Sequence, residues 1–392
     1  MDGMFSRRVP RQLEANAFTR ALREARRSGR ELIDLTVSNP TRVGITYPPG
    51  LFAPLSAPAV ASYSPEAFGD RAAREAVARD YARRGVPTSW QRVVLTASTS
   101  EAYSLLFKLL CAPAGDSVLV PVPSYPLFEH LTRLDGVAAT AYPLHYDGRW
   151  WVDFDSVDRM WDATTRALLA VSPNNPTGST LTTAECEALA GRCAAREAAM
   201  IVDEVFADYP LTGDAAAAGV SCPSSPCLTF RLGGLSKSAA LPQLKLGWIA
   251  VGGPDALVGQ ALERLELICD TYLSVSTPVQ MAAAELIAAG AAPRAQLAAR
   301  VRSNYAALQD LCAEYPSVNL LHADAGWSAV LRVAARASEE EIILDLLERD
   351  GVIVYPGFFF DFPHEAFLVI SLLPEPSVFS GGVRRVLERV DG

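Results

Sequence analysis

Leu232-Gly-Gly-Leu-Ser-Lys-Ser-Ala-Ala-Leu-Pro-Gln-Leu-Lys-Leu-Gly-Trp248 is the stretch on which the reading of the chain turns. Small and flexible residues surround Lys237. A second lysine, Lys245, precedes the apolar, strand-like run Trp248-Ile-Ala-Val251. A lysine held among Gly, Ser and Ala lets a bulky electrophile approach closely. Desolvation also lowers the pKa of its amine, which makes it nucleophilic near neutral pH. Taken alone, the stretch reads more simply as a solvated loop lysine. The elements on either side reverse that reading.

The chain has 392 residues, room for two domains or one large α/β domain with a smaller companion. Half of it is hydrophobic, so a large core is available. A formal net charge of −9 argues against nucleic acid or an anionic membrane as the main partner. No apolar run reaches membrane-span length. The arginines between Arg7 and Arg30 are interrupted by Glu14 and Glu24, and Leu13, Phe18 and Leu22 give the segment an amphipathic helical period rather than that of a targeting peptide. The seven cysteines have no repeated spacing. Cys222 and Cys227 flank a Pro-Ser-Ser-Pro loop without a second pair to complete a zinc site. A reducing cytoplasm and no metal are expected.

Strands and helices alternate along the first two thirds of the chain. Residues 11–28 and 72–84 read as helices, and 32–35 as a short strand before the Ser38-Asn-Pro-Thr-Arg-Val-Gly44 loop. Val93–Thr96 is a strand leading into Ser98-Thr-Ser-Glu101, a capping-box pattern ahead of Leu105, Leu106, Leu109 and Leu110. A helix start directly after a strand offers free backbone N–H groups to an anion. An ordinary capped helix has the same pattern. Further strands are read at 117–121, 167–171 and 200–206, with a helix at 183–196 and a loop at 212–227. This alternation implies an α/β fold, a largely parallel sheet with helices on both faces. Beyond about 277 come an alanine-rich helical region, 280–315, and then strands at 319–321, 328–333, 352–355 and 367–371, with helices at 339–349 and 378–390. The expected division is a large α/β domain over 45–276 and a small α+β domain from 1–44 and 277–392.

Ser98 and Thr99, Tyr125, the Asn174-Asn175 pair, Asp203 and Lys237 all stand just after strands. In an open parallel sheet, ligands bind at the carboxyl ends of the strands. One crevice would thus receive an anion cradle, an aromatic plate, an amide, a carboxylate and a lysine. A planar, phosphorylated, pyridinium-containing aldehyde needs that set: a Schiff-base lysine, a carboxylate that keeps the ring nitrogen protonated, an amide for the ring hydroxyl and an aromatic against the ring face.

With these residues in place, the chain resembles the class I/II aminotransferases of the fold-type I pyridoxal-phosphate superfamily. The resemblance runs from about Leu32 to the end. Its markers are Tyr63 with Gly69 and Arg74, Pro-Ser-Tyr125, Ser172-Pro-Asn-Asn-Pro-Thr-Gly178, Val202-Asp-Glu-Val205, Leu235-Ser-Lys237 and Tyr355-Pro-Gly357. It implies pyridoxal 5′-phosphate as cofactor, carried on Lys237, which also shuttles the proton. It implies Asp203 at the pyridinium nitrogen, Asn175 at the ring hydroxyl and Tyr125 on the ring face. Ser98, Thr99, Ser236 and Lys245 would hold the phosphate. Tyr63 would reach the neighbouring subunit's phosphate in a homodimer with shared sites.

Three positions depart from the family pattern. Phe206 stands where a tyrosine commonly donates to the ring hydroxyl. Lys245 stands where an arginine commonly grips the phosphate, keeping the charge without the bidentate fork. Val369 stands where an arginine commonly clamps the substrate α-carboxylate. The resulting reading is an aminotransferase moving an amino group between an amino compound and a keto acid. A lyase or decarboxylase on the same scaffold is the alternative, with a non-catalytic cofactor-binding module behind it. Arg42, Asn175 and Trp327 are the substrate-side candidates. Phe358-Phe-Phe360 is a further candidate pocket wall.

Overall fold

A computed structural model describes residues 4–10, 14–212, 225–364 and 366–392. Cys222 and most of the 212–227 loop lie outside the described residues, as does Leu13. Among those described, fourteen strands follow in chain order. They are β1 (Ile33–Asp34), β2 (Val93–Thr96), β3 (Ser117–Val122), β4 (Ala138–Tyr146), β5 (Trp150–Val152), β6 (Thr165–Val171) and β7 (Ala199–Asp203). Then come β8 (Thr229–Gly234), β9 (Gly247–Gly252), β10 (Asn319–Leu320), β11 (Ser328–Arg332), β12 (Val352–Ile353), β13 (Tyr355–Pro356) and β14 (Phe367–Ser371).

The large sheet has eight strands in the order β2-β9-β8-β7-β6-β3-β4-β5. The run β8-β7-β6-β3-β4 is parallel, while β9 is antiparallel to both its neighbours and β5 is antiparallel to β4. Central strands read as continuous apolar runs because both faces are covered. Alternate residues go to opposite faces. Val118 and Val120, Ala167 and Leu169, and Ala199 and Ile201 enter one core with the helices Thr99–Leu110 and Asp255–Tyr272. Leu119, Leu168, Ala170, Met200 and Val202 enter another with Cys186, Leu189 and Cys193 of the helix Thr183–Ala195.

A second sheet, β10-β11-β14-β13, is antiparallel throughout. β1 and β12 form a parallel pair beside it. The helices Ala291–Ala313 and Pro376–Asp391 pack on each other and share a core with Phe18 and Leu35 of the N-terminal segment. No helix among the described residues is long and apolar enough to cross a membrane.

Several elements differ from the sequence expectation. The first helix begins at Ala17, capped by Asn16, whose side chain accepts from the Thr19 N–H. The 280–315 helical region is three helices, Thr277–Met281, Ala283–Ala289 and Ala291–Ala313. At one break, a Cβ on Gly290 would come 2.4 Å from that of Ala239, so only glycine permits the approach. The 352–355 strand is two strands in different sheets, β12 against β1 and β13 against β14. β4 and β5 arise where no strand was read. β4 lies toward the sheet edge and is largely half-exposed or exposed, so its alternation is diluted by alanine, threonine and proline.

Candidate active site

Because β2, β3, β6, β7 and β8 point the same way, their carboxyl ends meet along one edge of the sheet. A cavity of about 710 Å³ opens there. Its wall includes Ser98, Thr99, Tyr125, Asn175, Asp203, Ser236, Lys237, Lys245 and Trp327. The structure therefore brings together nine of the residues singled out from the sequence.

The anion cradle is the start of the helix Thr99–Leu110. Ser98 is its N-cap, and its hydroxyl oxygen accepts from the Glu101 N–H at 3.1 Å. The expected reciprocal half of the capping box is absent. The Glu101 carboxylate accepts instead from the Ala97 N–H at 2.6 Å and the Ser274 hydroxyl at 2.8 Å. It braces the strand-to-helix turn and leaves the first-turn N–H groups of Thr99 and Ser100, which have no intrahelical acceptor, on the cavity wall. Across from them lies Gly247, where an added Cβ would stand 2.9 Å from the Ser98 carbonyl carbon and 3.1 Å from the Thr99 nitrogen. Glycine at 247 lets the two backbones close on each other.

Asp203 ends β7, buried at 8% exposure. The Tyr103 phenol donates to its Oδ2 at 3.0 Å, and the Val205 N–H donates to its Oδ1 at 3.1 Å. Burial raises its carboxyl to about 6; those two hydrogen bonds oppose the rise, Glu204 adds to it and Lys237 lowers it. Lys237 follows β8 on the short helix Leu235–Ser238. Its amine is lowered to about 8 by burial, with Asp203 pulling the other way. The ammonium nitrogen lies 4.8 Å from the ring centre of Trp327 and 5.6 Å from that of Phe206. The Tyr209 phenol donates to the Lys237 carbonyl and holds the turn.

Asn174 and Asn175 divide their work. Asn174 is buried, donating to the Pro123 carbonyl at 2.9 Å and to Thr177 Oγ1 at 2.8 Å, and accepting from the Ser124 hydroxyl at 2.8 Å. It ties the loop after β6 to the turn that presents Tyr125. Asn175 faces the cavity, with Ser328 Oγ 3.4 Å from its Oδ1. Tyr125 remains 43% exposed, and its phenol is raised by burial and by the nearby Asp203 and Tyr355.

Two sequence candidates lie elsewhere. Tyr63 is 74% exposed on a separate surface depression with Glu66, Gly69 and Gln280. Gly69 sits at φ +88°, where a Cβ would meet Leu95 at 2.6 Å, and the buried Arg74 pairs with Glu66 at 3.1 Å; both shape the turn below Tyr63. Arg42, expected on the substrate side, does not line the cavity. It ends an exposed turn, Pro40–Arg42, capped by Asn39, and the cavity wall takes Thr36, Val37 and Ser38 from this loop instead. Of the three phenylalanines, Phe359 and Phe360 line the cavity and the exposed Phe358 does not.

The sequence reading missed Tyr103, Ser328 and the side chain of Tyr355. Tyr103 lies one helical turn beyond Thr99, on the face the helix turns toward the sheet. That spacing was the available signal. Tyr355 belongs to the Tyr-Pro-Gly marker, which by itself assigns it no role, and its place on the wall comes from pairing with Val369 across β13 and β14.

The donor set fits a phosphorylated pyridine aldehyde. One end offers helix N–H groups, hydroxyls and Lys245; the other offers a buried carboxylate with a raised pKa, which a ring N–H⁺ would compensate; between them lies an amine depressed toward neutrality. Comparison with known proteins agrees with that fit. The family model for aminotransferase class I and II matches residues 56–378. The glutamate-pyruvate aminotransferase AlaA of Haemophilus influenzae is 23% identical over 359 residues, covering 88% of this chain and 87% of that protein. The arginine–pyruvate transaminase AruH of Pseudomonas aeruginosa is 32% identical over 295 residues, covering 74% and 72%. Among solved structures, the alanine aminotransferase from Pyrococcus furiosus superposes with a TM-score of 0.84 at 22% identity, covering 94% of both chains.

Proposed function

This chain belongs to the class I and II aminotransferases, a pyridoxal-phosphate-dependent family, and from that membership we propose how its residues divide the work of transamination. One observation carries the assignment: a depressed lysine amine and a raised carboxyl face one cavity whose other end is a helix N-terminus. Lys237 is the residue that carries the cofactor. Asp203 holds the proton on the ring nitrogen, Asn175 meets the ring hydroxyl and Tyr125 covers a ring face. The Thr99 and Ser100 N–H groups, the Ser236 hydroxyl and the Lys245 ammonium receive the phosphate. Bound there, pyridoxal phosphate supplies the carbonyl that takes up the amino group and a protonated ring that stabilises negative charge at the reacting carbon.

The chain's own chemistry is proton handling and exclusion. The Lys237 amine, near neutrality, would take the proton from the substrate Cα and return it on the far side of the transferred nitrogen. Trp327 and Phe206 lie against that amine and keep water from it. Phe206 has no hydroxyl, so the ring hydroxyl depends on Asn175, itself in contact with Ser328.

The protein is further proposed to be a cytoplasmic homodimer, with Tyr63 delivered to the partner's phosphate, and its large and small domains to divide as 45–276 against 1–44 with 277–392. Val369 fills the place of a carboxylate-binding arginine. The test of the assignment is spectroscopic. Adding an amino donor to the holoenzyme should bleach the absorbance of the lysine-bound cofactor, and a carbonyl acceptor should restore it. Ammonia or carbon dioxide release without restoration would point to a lyase or decarboxylase instead.

A further inference from the structure

The helix that carries Lys237, Leu235–Ser238, is four residues long, so its carbonyls run out of backbone N–H partners almost at once. Three side chains from distant parts of the chain meet the carbonyls of this turn. The Tyr209 phenol donates to the Lys237 carbonyl. The Arg294 guanidinium donates to the Ser238 carbonyl at 2.9 Å, and the Tyr47 phenol donates to the Ala240 carbonyl at 2.6 Å. Between those two carbonyls, Ala239 presses against Gly290, which has room for it only because it lacks a Cβ.

Tyr47 and Arg294 belong to one brace. Gln296, two residues beyond Arg294 in the helix Ala291–Ala313, accepts from the Thr46 N–H at 3.0 Å and donates to the Thr46 carbonyl at 2.9 Å. That reciprocal pair ties the segment bearing Tyr47 to the helix bearing Arg294. Arg294 is anchored in turn: its Nε lies 3.8 Å from Asp208 Oδ1, which also accepts from Arg83 at 2.7 Å. The brace acts on backbone that resists its own conformation. Ala240 stands at φ +57° and Lys245 at φ +50°, in the left-handed region that residues with a Cβ avoid. Packing and these hydrogen bonds sustain the buried turn against that preference.

We propose that Arg294 and Tyr47 are positioning residues for Lys237. Neither lines the cavity. By fixing the carbonyls of 238 and 240 they fix the lysine backbone, and with it the reach of the amine held between Asp203 and the Trp327 ring. The proposal rests on Lys237 as the residue that bonds the cofactor. In that bond the amine nitrogen adds to the aldehyde carbon, and the aldehyde oxygen leaves as water with both amine hydrogens, so no redox partner is needed. Such a bond tolerates little displacement; a misplacement of about 1 Å can cost ~100-fold. The phosphate cradle, on the helix Thr99–Leu110, is outside the brace.

The test compares two ligands on the apoenzyme, pyridoxal 5′-phosphate and pyridoxine 5′-phosphate. The second keeps the ring and the phosphate but has an alcohol in place of the aldehyde, so it binds without bonding to the lysine. Absorbance titration and calorimetry give both affinities without turnover. Tyr47→Phe and Arg294→Met should each weaken the aldehyde ~5–10-fold and leave the alcohol unchanged. Arg294→Lys, which keeps a charged donor, should recover most of the loss. If Arg294→Met fails to fold, Tyr47→Phe, which removes a single oxygen, decides. Equal losses for both ligands would reduce the brace to a structural support and overturn the proposal. So would variants that bind both ligands like the wild type, and in either case the aminotransferase reading stands. A wild type that borohydride labels on Lys108 or Lys245, or that binds the aldehyde no better than the alcohol, would overturn the role of Lys237 and the proposal with it.

Discussion

The Tyr103 phenol donates a 3.0 Å hydrogen bond to Asp203 Oδ2 from a helix whose first turn is the proposed phosphate cradle. One helix thus serves both ends of the proposed cofactor site. Removing the phenol should loosen the carboxylate without touching the cradle. Hydrogen bonds to charged groups contribute ~1.5–3 kcal/mol, so Tyr103→Phe should weaken cofactor affinity ~10–100-fold. Absorbance titration of the apoenzyme measures this. Unchanged affinity would mean that the Val205 N–H alone holds Asp203.

Asp203→Asn should move activity and stability in opposite directions. The folded carboxyl, at about 6, lies above its ordinary value of 3.8. The native apoenzyme therefore holds that proton more tightly than the unfolded chain, and its stability falls as pH rises from about 4 to about 6, then levels off. At pH 8 the substitution should stabilise the apoenzyme by about 2–3 kcal/mol while the loaded enzyme loses most of its turnover. Denaturant titrations at pH 4 and pH 8 check the sign: the gain should be absent at pH 4. A destabilised apoenzyme at pH 8 would show that the carboxylate is better solvated than its burial implies.

Lys237 should control how fast the apoenzyme takes up cofactor. Its amine is held at about 8, and only the neutral form attacks an aldehyde. Uptake should rise about tenfold between pH 7 and pH 9, following the neutral fraction. Borohydride reduction and peptide mapping identify the site. With only three lysines in the chain, a label on Lys108 or Lys245 would exclude Lys237 unambiguously.

Tyr63 gives a test of shared sites. At 74% exposure on one subunit it contributes nothing to that subunit's cavity. Lys237→Ala and Tyr63→Phe homodimers should each be impaired. Mixed dimers should recover activity, because one of their two sites then combines an intact lysine with an intact tyrosine. Sedimentation should show a dimer. A fully active monomer would remove Tyr63 from the site.

How much of this was legible in the sequence follows from which contacts are local. Central strands such as β3, β6 and β7 announce themselves because burial on both faces leaves a continuous apolar run, with polar residues only at the ends. β4 and β5 did not, since a sheet margin tolerates mixed composition. The strand-end residues Thr99, Asn175, Asp203 and Lys237 could be placed in one crevice before any coordinates, because parallel strands deliver their following loops to the same edge.

The sequence by itself determined the order of these groups along the chain, and with it the fold class and the cofactor. Each depends on a residue and its immediate strand, and short-range backbone geometry settles where the side chain emerges. The tertiary structure alone decided the company they keep. Tyr103 meets Asp203, 100 residues away, only because their helix and strand pack face to face. Trp327 reaches Lys237 only because the second sheet folds over the first. Arg42, next to the cavity in sequence, is left on the surface because the turn capped by Asn39 carries it away, while Thr36, Val37 and Ser38 line the wall. Packing between distant elements chose which charges face the cavity, and spacing along the chain carries no record of that choice.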